Sequence, residues 1–263
     1  MSIYKYVSSK TGLLYLENWR LRLSPTSALN DPFEFEMVLS DSYENMINAS
    51  SDALYAEIDK DLGRTKEERL AQWAQSNADR GIKGVSLTEA VREAYKVSLG
   101  VLCLTRTQRH LLMWSHYADG HRGMLLEFDE GHPSFRRSIP ATQFQGRLVP
   151  VTYSDTHFPV KSHSADDFAN SLSTKALEWA YEQEVRMFLP LSDAESTSLS
   201  DPYGTPIHLL EIPSAALKSI TLGCLSTDMT HVQSLLSSAA PHVAVATARL
   251  DAQEYRLHYS PVP

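Results

Sequence analysis

The chain has 263 residues, 43% of them hydrophobic and 21% charged, with a formal net charge of −8. That length can bury a sizeable core as one domain or two small ones, and the ordinary composition excludes a disordered or fibrous chain. The acidic balance argues against broad binding to a phosphate backbone, although a local basic patch could survive it.

No apolar run is long enough to span a bilayer, and no basic, apolar leader opens the sequence, so no membrane contact is expected. Cys103 and Cys224 each lie in an apolar, strand-like run, which implies no disulfide framework and a reduced, cytoplasmic setting.

Taken in order, Ile3–Ser8 alternates as a first strand, with Tyr4 and Tyr6 on one face and Ile3, Lys5 and Val7 on the other. Leu13–Trp19 reads as a helical turn and Arg20–Ser24 as a second strand. Asn30-Asp31-Pro32 is strong turn chemistry, and the alternation of Phe33–Glu36 after it reads as an edge strand. Residues 45–98 read as a helical insertion covering one side of the core. Thr65 with Glu68 and Ser86 with Glu89 have capping-box spacing, and Leu87, Ala90, Val91, Ala94 and Tyr95 form a helical stripe.

Val101–Thr105 and Met124–Phe128 are β-prone runs on either side of a helix at Leu111–Ala118. That helix carries large side chains all round, so it is expected to be buried, with Ser115, His116 and Tyr117 each needing a hydrogen-bond partner. Gly120 and Gly123 mark its exit. Arg147–Tyr153 is a strand whose Pro150 places it at an edge or a bulge. Ser154–Ser164 reads as loop. Ser164 opens a helix with Phe168, Leu172, Ala176, Trp179 and Ala180 on one face. From Tyr181 the period switches to two, so Glu182, Glu184 and Arg186 share a strand face. Ile207–Ile212, Ser219–Leu222, Val243–Ala248 and Tyr255–Tyr259 are further strands, with a helix at Thr230–Ser238. The class is α+β, a single domain over 1–263 with a mixed, mostly antiparallel sheet. The strands at Tyr4–Val7, Val101–Leu104, Met124–Phe128 and Val185–Leu189 are expected in one sheet.

Glu182 and Glu184 are the most suggestive chemical pair, because two carboxylates can divide labour when their surroundings separate their pKa values. They can equally be structural partners of Arg186. His110, His116 and His121 with Asp119 are not spaced to share a helix face, so no metal site is expected. Cys103 lies in a buried-strand pattern that favours an inert thiol, and no phosphate-binding glycine loop occurs.

YKY at the start, LNDPFE, MWSHYADGHRG before a strand and the W-x-YE-x-E-x-R segment together resemble the bacterial family called domain of unknown function 2971, from Tyr4 to about Arg186. More distantly, the order of elements is similar to that of ADP-ribosyltransferases. Their early strand carries His or Arg, their middle segment Tyr or Ser, and a late strand Glu, often as ExE. Tyr4-Lys5-Tyr6, Ser115-His116-Tyr117 and Glu182-Gln183-Glu184 stand at those places, with Lys5 where His or Arg is expected.

The resemblance implies binding of NAD and cleavage of its nicotinamide–ribose bond, as in a toxin or a phage-defence effector. Glu184, Tyr117 and His116 would be catalytic, and Tyr4, Lys5, Tyr6, Trp114, Ser115 and Glu182 would hold the dinucleotide. The macromolecular target is left open. The competing reading is a binding or regulatory module in which Glu184 and Arg186 pair with His116 or Arg122. A metal-dependent nuclease ranks last, because the sequence shows neither a carboxylate cluster of the right kind nor a basic face.

Overall fold

The computed structural model of the chain describes residues 1–36, 38–79, 95–96, 98–137, 146–162 and 164–262. It is an α+β fold built on an eleven-stranded, mostly antiparallel sheet. The first strand, β1 (Ser2–Val7), lies between β4 (Met124–Asp129), which it pairs along its whole length, and β3 (Leu99–Thr105). Beyond β4 the sheet continues through β11 (Leu217–Leu222) to β12 (Ala244–Leu250) and β13 (Leu257–Pro261). Beyond β3 it continues through β2 (Arg20–Pro25) to β10 (Pro206–Glu211) and β9 (Glu195–Ser200). The strand β8 (Glu184–Pro190) pairs the opposite edge of β3 and carries β5 (Leu148–Pro150) on its own far side. The four strands expected in one sheet are all in it.

The helices follow from local chemistry. In α1 (Ser9–Asn18) the Ser8 hydroxyl accepts from the Thr11 N–H, and Trp19 ends the helix in the left-handed region at φ 54°. It starts earlier than the apolar run Leu13–Trp19 suggests, because the cap decides the start. The insertion contains α2 (Asp41–Leu62), stopped by a left-handed Gly63, and α3 (Lys66–Asp79). The Thr65–Glu68 capping box closes in both directions, at 2.7 and 3.2 Å. The second box and most of its stripe, residues 86–94, lie outside the described residues.

One face of the sheet, carrying Ile3, Leu102, Leu104, Leu126 and Met187, packs on α1 and on α6 (Met229–Ala239) through Tyr15, Leu16, Val232 and Leu236. The other face carries two smaller clusters. Tyr6 and Leu125 pack under α4 (Leu111–Tyr117), through Met113 and Trp114. Val101 and Phe188 pack with Tyr43 of α2 and with Ala169 and Leu172 of α5 (Ala165–Leu172).

Several expectations are corrected. Phe33–Glu36 is a turn with Phe35 at φ 62°, not an edge strand, because the Asp31 carboxylate accepts from the Phe33 N–H and curls the chain. The helix opened by Ser164 stops at Leu172. A short strand β7 (Thr174–Lys175), parallel to β6 (Thr152–Tyr153), and a 3-10 turn at Leu177–Glu182 follow, so Ala176, Trp179 and Ala180 do not continue its face. The polar strand β9, with its run of Ser and Thr, has no apolar alternation and is absent from the pattern reading. The helix α4 is not buried all round: Leu112, Ser115 and His116 face solvent, since a helix lying on a sheet buries one side only.

Candidate functional site

The site begins with a split in the sheet. On one edge of β3, β1 meets it at Tyr4↔Thr105 and β2 meets it at Ser24↔Val101 and Pro25↔Gly100, so the edge between them is open. By alternation Lys5 shares a face with Ile3 and Val7, but at the split its side chain turns across, and Nζ donates to the Cys103 carbonyl at 2.8 Å. A ladder carbonyl left without a strand partner is thereby satisfied.

A cavity of about 160 Å³ opens at this split. Tyr4, Lys5 and Tyr6 line it from β1, Cys103 and Thr105 from β3, and Tyr117 from α4. Glu182 and Glu184 line it from the start of β8, joined by Lys175 from β7 and by Asn30 and Glu34 from the loop before α2. Four separate stretches of the chain, residues 4–6, 30–34, 103–117 and 175–184, therefore meet at one place.

Glu182 and Glu184 both reach the cavity, but not by strand alternation. Glu182 ends the 3-10 turn, Gln183 is left-handed at φ 46°, and β8 starts at Glu184. That single αL residue re-aims the chain so that two carboxylates face the same space. The Thr105 hydroxyl donates to the Glu182 carbonyl, and the Tyr153 hydroxyl accepts from the Glu184 N–H at 2.8 Å, pinning both ends of the kink.

Around them lies a buried ion network. Arg186, fully buried, donates Nε and Nη2 to the two oxygens of Glu184 at 2.9 Å each and Nη1 to the Leu172 carbonyl. Its Nη2 also contacts Glu34, and its guanidinium lies 5.0 Å over the Phe35 ring. The Lys175 ammonium is 2.7 Å from Glu182, 3.2 Å from Glu34 and 3.4 Å from Glu184. The Tyr117 hydroxyl donates to Glu182 at 2.6 Å.

The electrostatics follow from the pairing. Burial opposes the charge on Glu184, yet Arg186 and Lys175 beside it bring its carboxyl down to about 2, so it is an anion at neutral pH. Burial works against the Lys175 and Arg186 charges too, but the surrounding glutamates hold both above their ordinary values. Glu34 shifts the other way: burial raises it, and Arg186 and Lys175 only partly offset that. Burial lowers the Lys5 ammonium, opposed by Cys103 and Glu184.

Of the sequence candidates, Tyr4, Lys5, Tyr6, Tyr117, Glu182 and Glu184 line the cavity. Trp114, Ser115 and His116 do not. Trp114 is fully buried behind Tyr6, ring edge to ring face at 5.3 Å, and its Nε1 donates to the Tyr259 hydroxyl. Ser115 is exposed, and His116 Nδ1 lies 3.2 Å from the Tyr181 hydroxyl on the outside of α4. The Glu184–Arg186 pair exists, but its further partners are Glu34 and Lys175 rather than His116 or Arg122. Pattern reading missed Glu34 and Lys175 because one sits in a turn and the other in a stretch read as helix. Glu34 does fall in LNDPFE, the one early signal that pointed near it. Both residues also line a second cavity of about 220 Å³. No group of side chains able to hold a metal ion occurs among the described residues.

Neither the curated proteins nor the solved structures contain a match to the chain. Among the described residues no helix is long and apolar enough to cross a membrane. A family model described as protein of unknown function, DUF2971, matches residues 113–187, the part that supplies Tyr117, Lys175, Glu182 and Glu184 to the cavity and Arg186 to the ion network behind it; over that span the chain is similar to this family.

Proposed function

We propose that the cavity takes the nicotinamide–ribose end of NAD and cleaves the bond between the two, in the manner of an ADP-ribosyltransferase or NAD glycohydrolase. The observation that carries this reading is the convergence of Lys5, Tyr6, Tyr117, Glu182 and Glu184 on one cavity, with Glu184 held as an anion. Loss of nicotinamide leaves positive charge on the sugar, and a fixed carboxylate facing that charge lowers the barrier.

The paired side chains are suited to this. Glu34, Glu182 and Glu184 stand against Lys175 and Arg186, three carboxyl groups to two cationic side chains. A pyridinium or a charged sugar ring would gain from the Glu184 anion on this wall. Glu182, oriented by Tyr117 and Lys175, is placed to accept from ribose hydroxyls, and the Tyr117 ring walls the space. At about 160 Å³ the cavity holds the reacting end of a dinucleotide and not the whole molecule. Such an activity would suit a toxin or defence effector acting on the NAD pool.

A second reading has its own observation. Arg186 is fully buried, doubly bonded to Glu184 and tied to a helix carbonyl, as a purely architectural clamp would be. Release of nicotinamide from NAD by the wild-type protein separates the two. If the cleft is catalytic, Glu184→Gln lowers release by about 10²–10³-fold, as loss of an electrostatic group does, when assayed well below the variant's melting temperature. A wild type that neither releases nicotinamide nor binds NAD leaves the architectural reading standing.

A further inference from the structure

We propose that Lys5 is a reactive amine that captures small aldehydes, including open-chain sugars, in the cavity as a Schiff base. This does not rest on the NAD reading. A lysine at the centre of a sheet is costly unless its head group is satisfied, and among the described residues Lys5 makes one hydrogen bond, to the Cys103 carbonyl. Among the described residues it takes part in no ion pair, while the carboxylates on the same wall are occupied by Lys175 and Arg186.

As a neutral amine Lys5 has two N–H groups and a lone pair. The bond to Cys103 uses one N–H and orients the nitrogen, leaving the lone pair available at the cavity wall. Burial favours that neutral form, the usual way in which lysines become nucleophiles. The cavity, at about 160 Å³, admits a short-chain aldehyde or a pentose.

The step balances within the site. The nitrogen lone pair forms a bond to the carbonyl carbon, and the carbonyl oxygen takes up a proton to become a hydroxyl. That hydroxyl then leaves as water, with loss of the nitrogen's protons, to give C=N. The Tyr117 hydroxyl, bonded to Glu182 at 2.6 Å, lies on the same cavity and passes the protons from the nitrogen to the oxygen.

The test is reductive trapping of the full-length protein at pH near neutrality with glycolaldehyde and cyanoborohydride, which reduces C=N to a stable secondary amine. Peptide mapping by mass spectrometry gives the rate at each lysine, and exposed Lys10 and Lys218 serve as internal standards. Lys5 is expected to react several-fold faster than either, since a lowered pKa enlarges the neutral, nucleophilic fraction. A folded Lys5→Arg variant, checked by circular dichroism, is expected to lose the fast adduct. An unmodified Lys5, a rate equal to that of the exposed lysines, or a fast adduct that persists in Lys5→Arg overturns the proposal. Nicotinamide release, assayed separately, tests the NAD reading and is independent of this outcome.

Discussion

At the scale of single residues, the balance between burial and pairing decides what each charge does. Glu184 and Glu34 touch the same guanidinium, yet their carboxyls shift in opposite directions. Glu184 has a two-point bond to Arg186 and a backbone N–H fixed by Tyr153, whereas Glu34 reaches in from an irregular loop. The sign of the resulting pH dependence is set. The folded value for Glu184, about 2, lies below its unfolded value of about 4.3, so its stabilisation is complete above that unfolded value and is lost as pH falls through about 2. Glu34, with a raised folded value, has the opposite sign and loses stabilisation as pH rises through that value. The melting-temperature gap between the wild type and Glu184→Gln should therefore be widest near neutral pH and close below about pH 4. A gap that stays constant down to about pH 2.5 would show that Glu184 is not the ionised partner of Arg186. At neutral pH the gap should correspond to about 3 kcal/mol or more, because Arg186 would be left partly uncompensated in the interior.

At the scale of elements, the decisive feature is the junction between the 3-10 turn Leu177–Glu182 and β8. A continuous strand through Tyr181–Arg186 would also place Glu182 and Glu184 on one face, two residues apart. The observed chain reaches a similar result by a left-handed Gln183, with Arg106 N–H donating to the Gln183 carbonyl. Left-handed backbone costs an L-residue about 1–2 kcal/mol, more for a β-branched side chain. Gln183→Val should cost about 1–2 kcal/mol in urea unfolding and also displace Glu182 from Tyr117 and Lys175. Gln183→Gly should be neutral or stabilising. Equal stability of the valine and glycine variants would mean that the αL conformation is not what holds the kink.

At the scale of the whole molecule, the split between β1 and β2 along β3 turns a continuous sheet into one with a hole beside its most buried ion pairs. Strand pairing left unmade at the centre is unfavourable unless something else meets the open edge, and Lys5 meets part of it. Helix α4 roofs one side of the opening, and the Asn30–Glu34 loop closes another. A ligand seated there binds the folded chain alone, so it raises the melting temperature by mass action. Near 100-fold excess over its dissociation constant the gain is about 2.7 kcal/mol. NAD should produce such a shift in a thermal melt of the wild type and a smaller one in Tyr117→Phe, which removes the hydroxyl that orients Glu182. Equal shifts for both proteins would move the binding site away from this cavity.

Much of this was legible from residue patterns, and the limits have a physical cause. The core strands carry apolar alternation or continuous apolarity that any β-sheet would bury, so β1, β3, β4 and β8 were readable one by one, as was the cap at Thr65. Tyr117, Glu182 and Glu184 stood out as polar groups needing partners, and all three line the cavity. Trp114, Ser115 and His116 shared that signal, but a helix packed on a sheet buries one face, and only the packing shows which one. The polar strand β9 and the turn at Phe33–Glu36 carry no hydrophobic period by which to be recognised. Glu34 and Lys175 become site residues only through contacts with partners far away in the chain, Arg186 for one and Glu34 itself for the other. Local patterns determine which segments form strands and helices. Which strand edge stays open, and therefore which charges share the hole beside it, is a property of long-range pairing that tertiary structure alone decides.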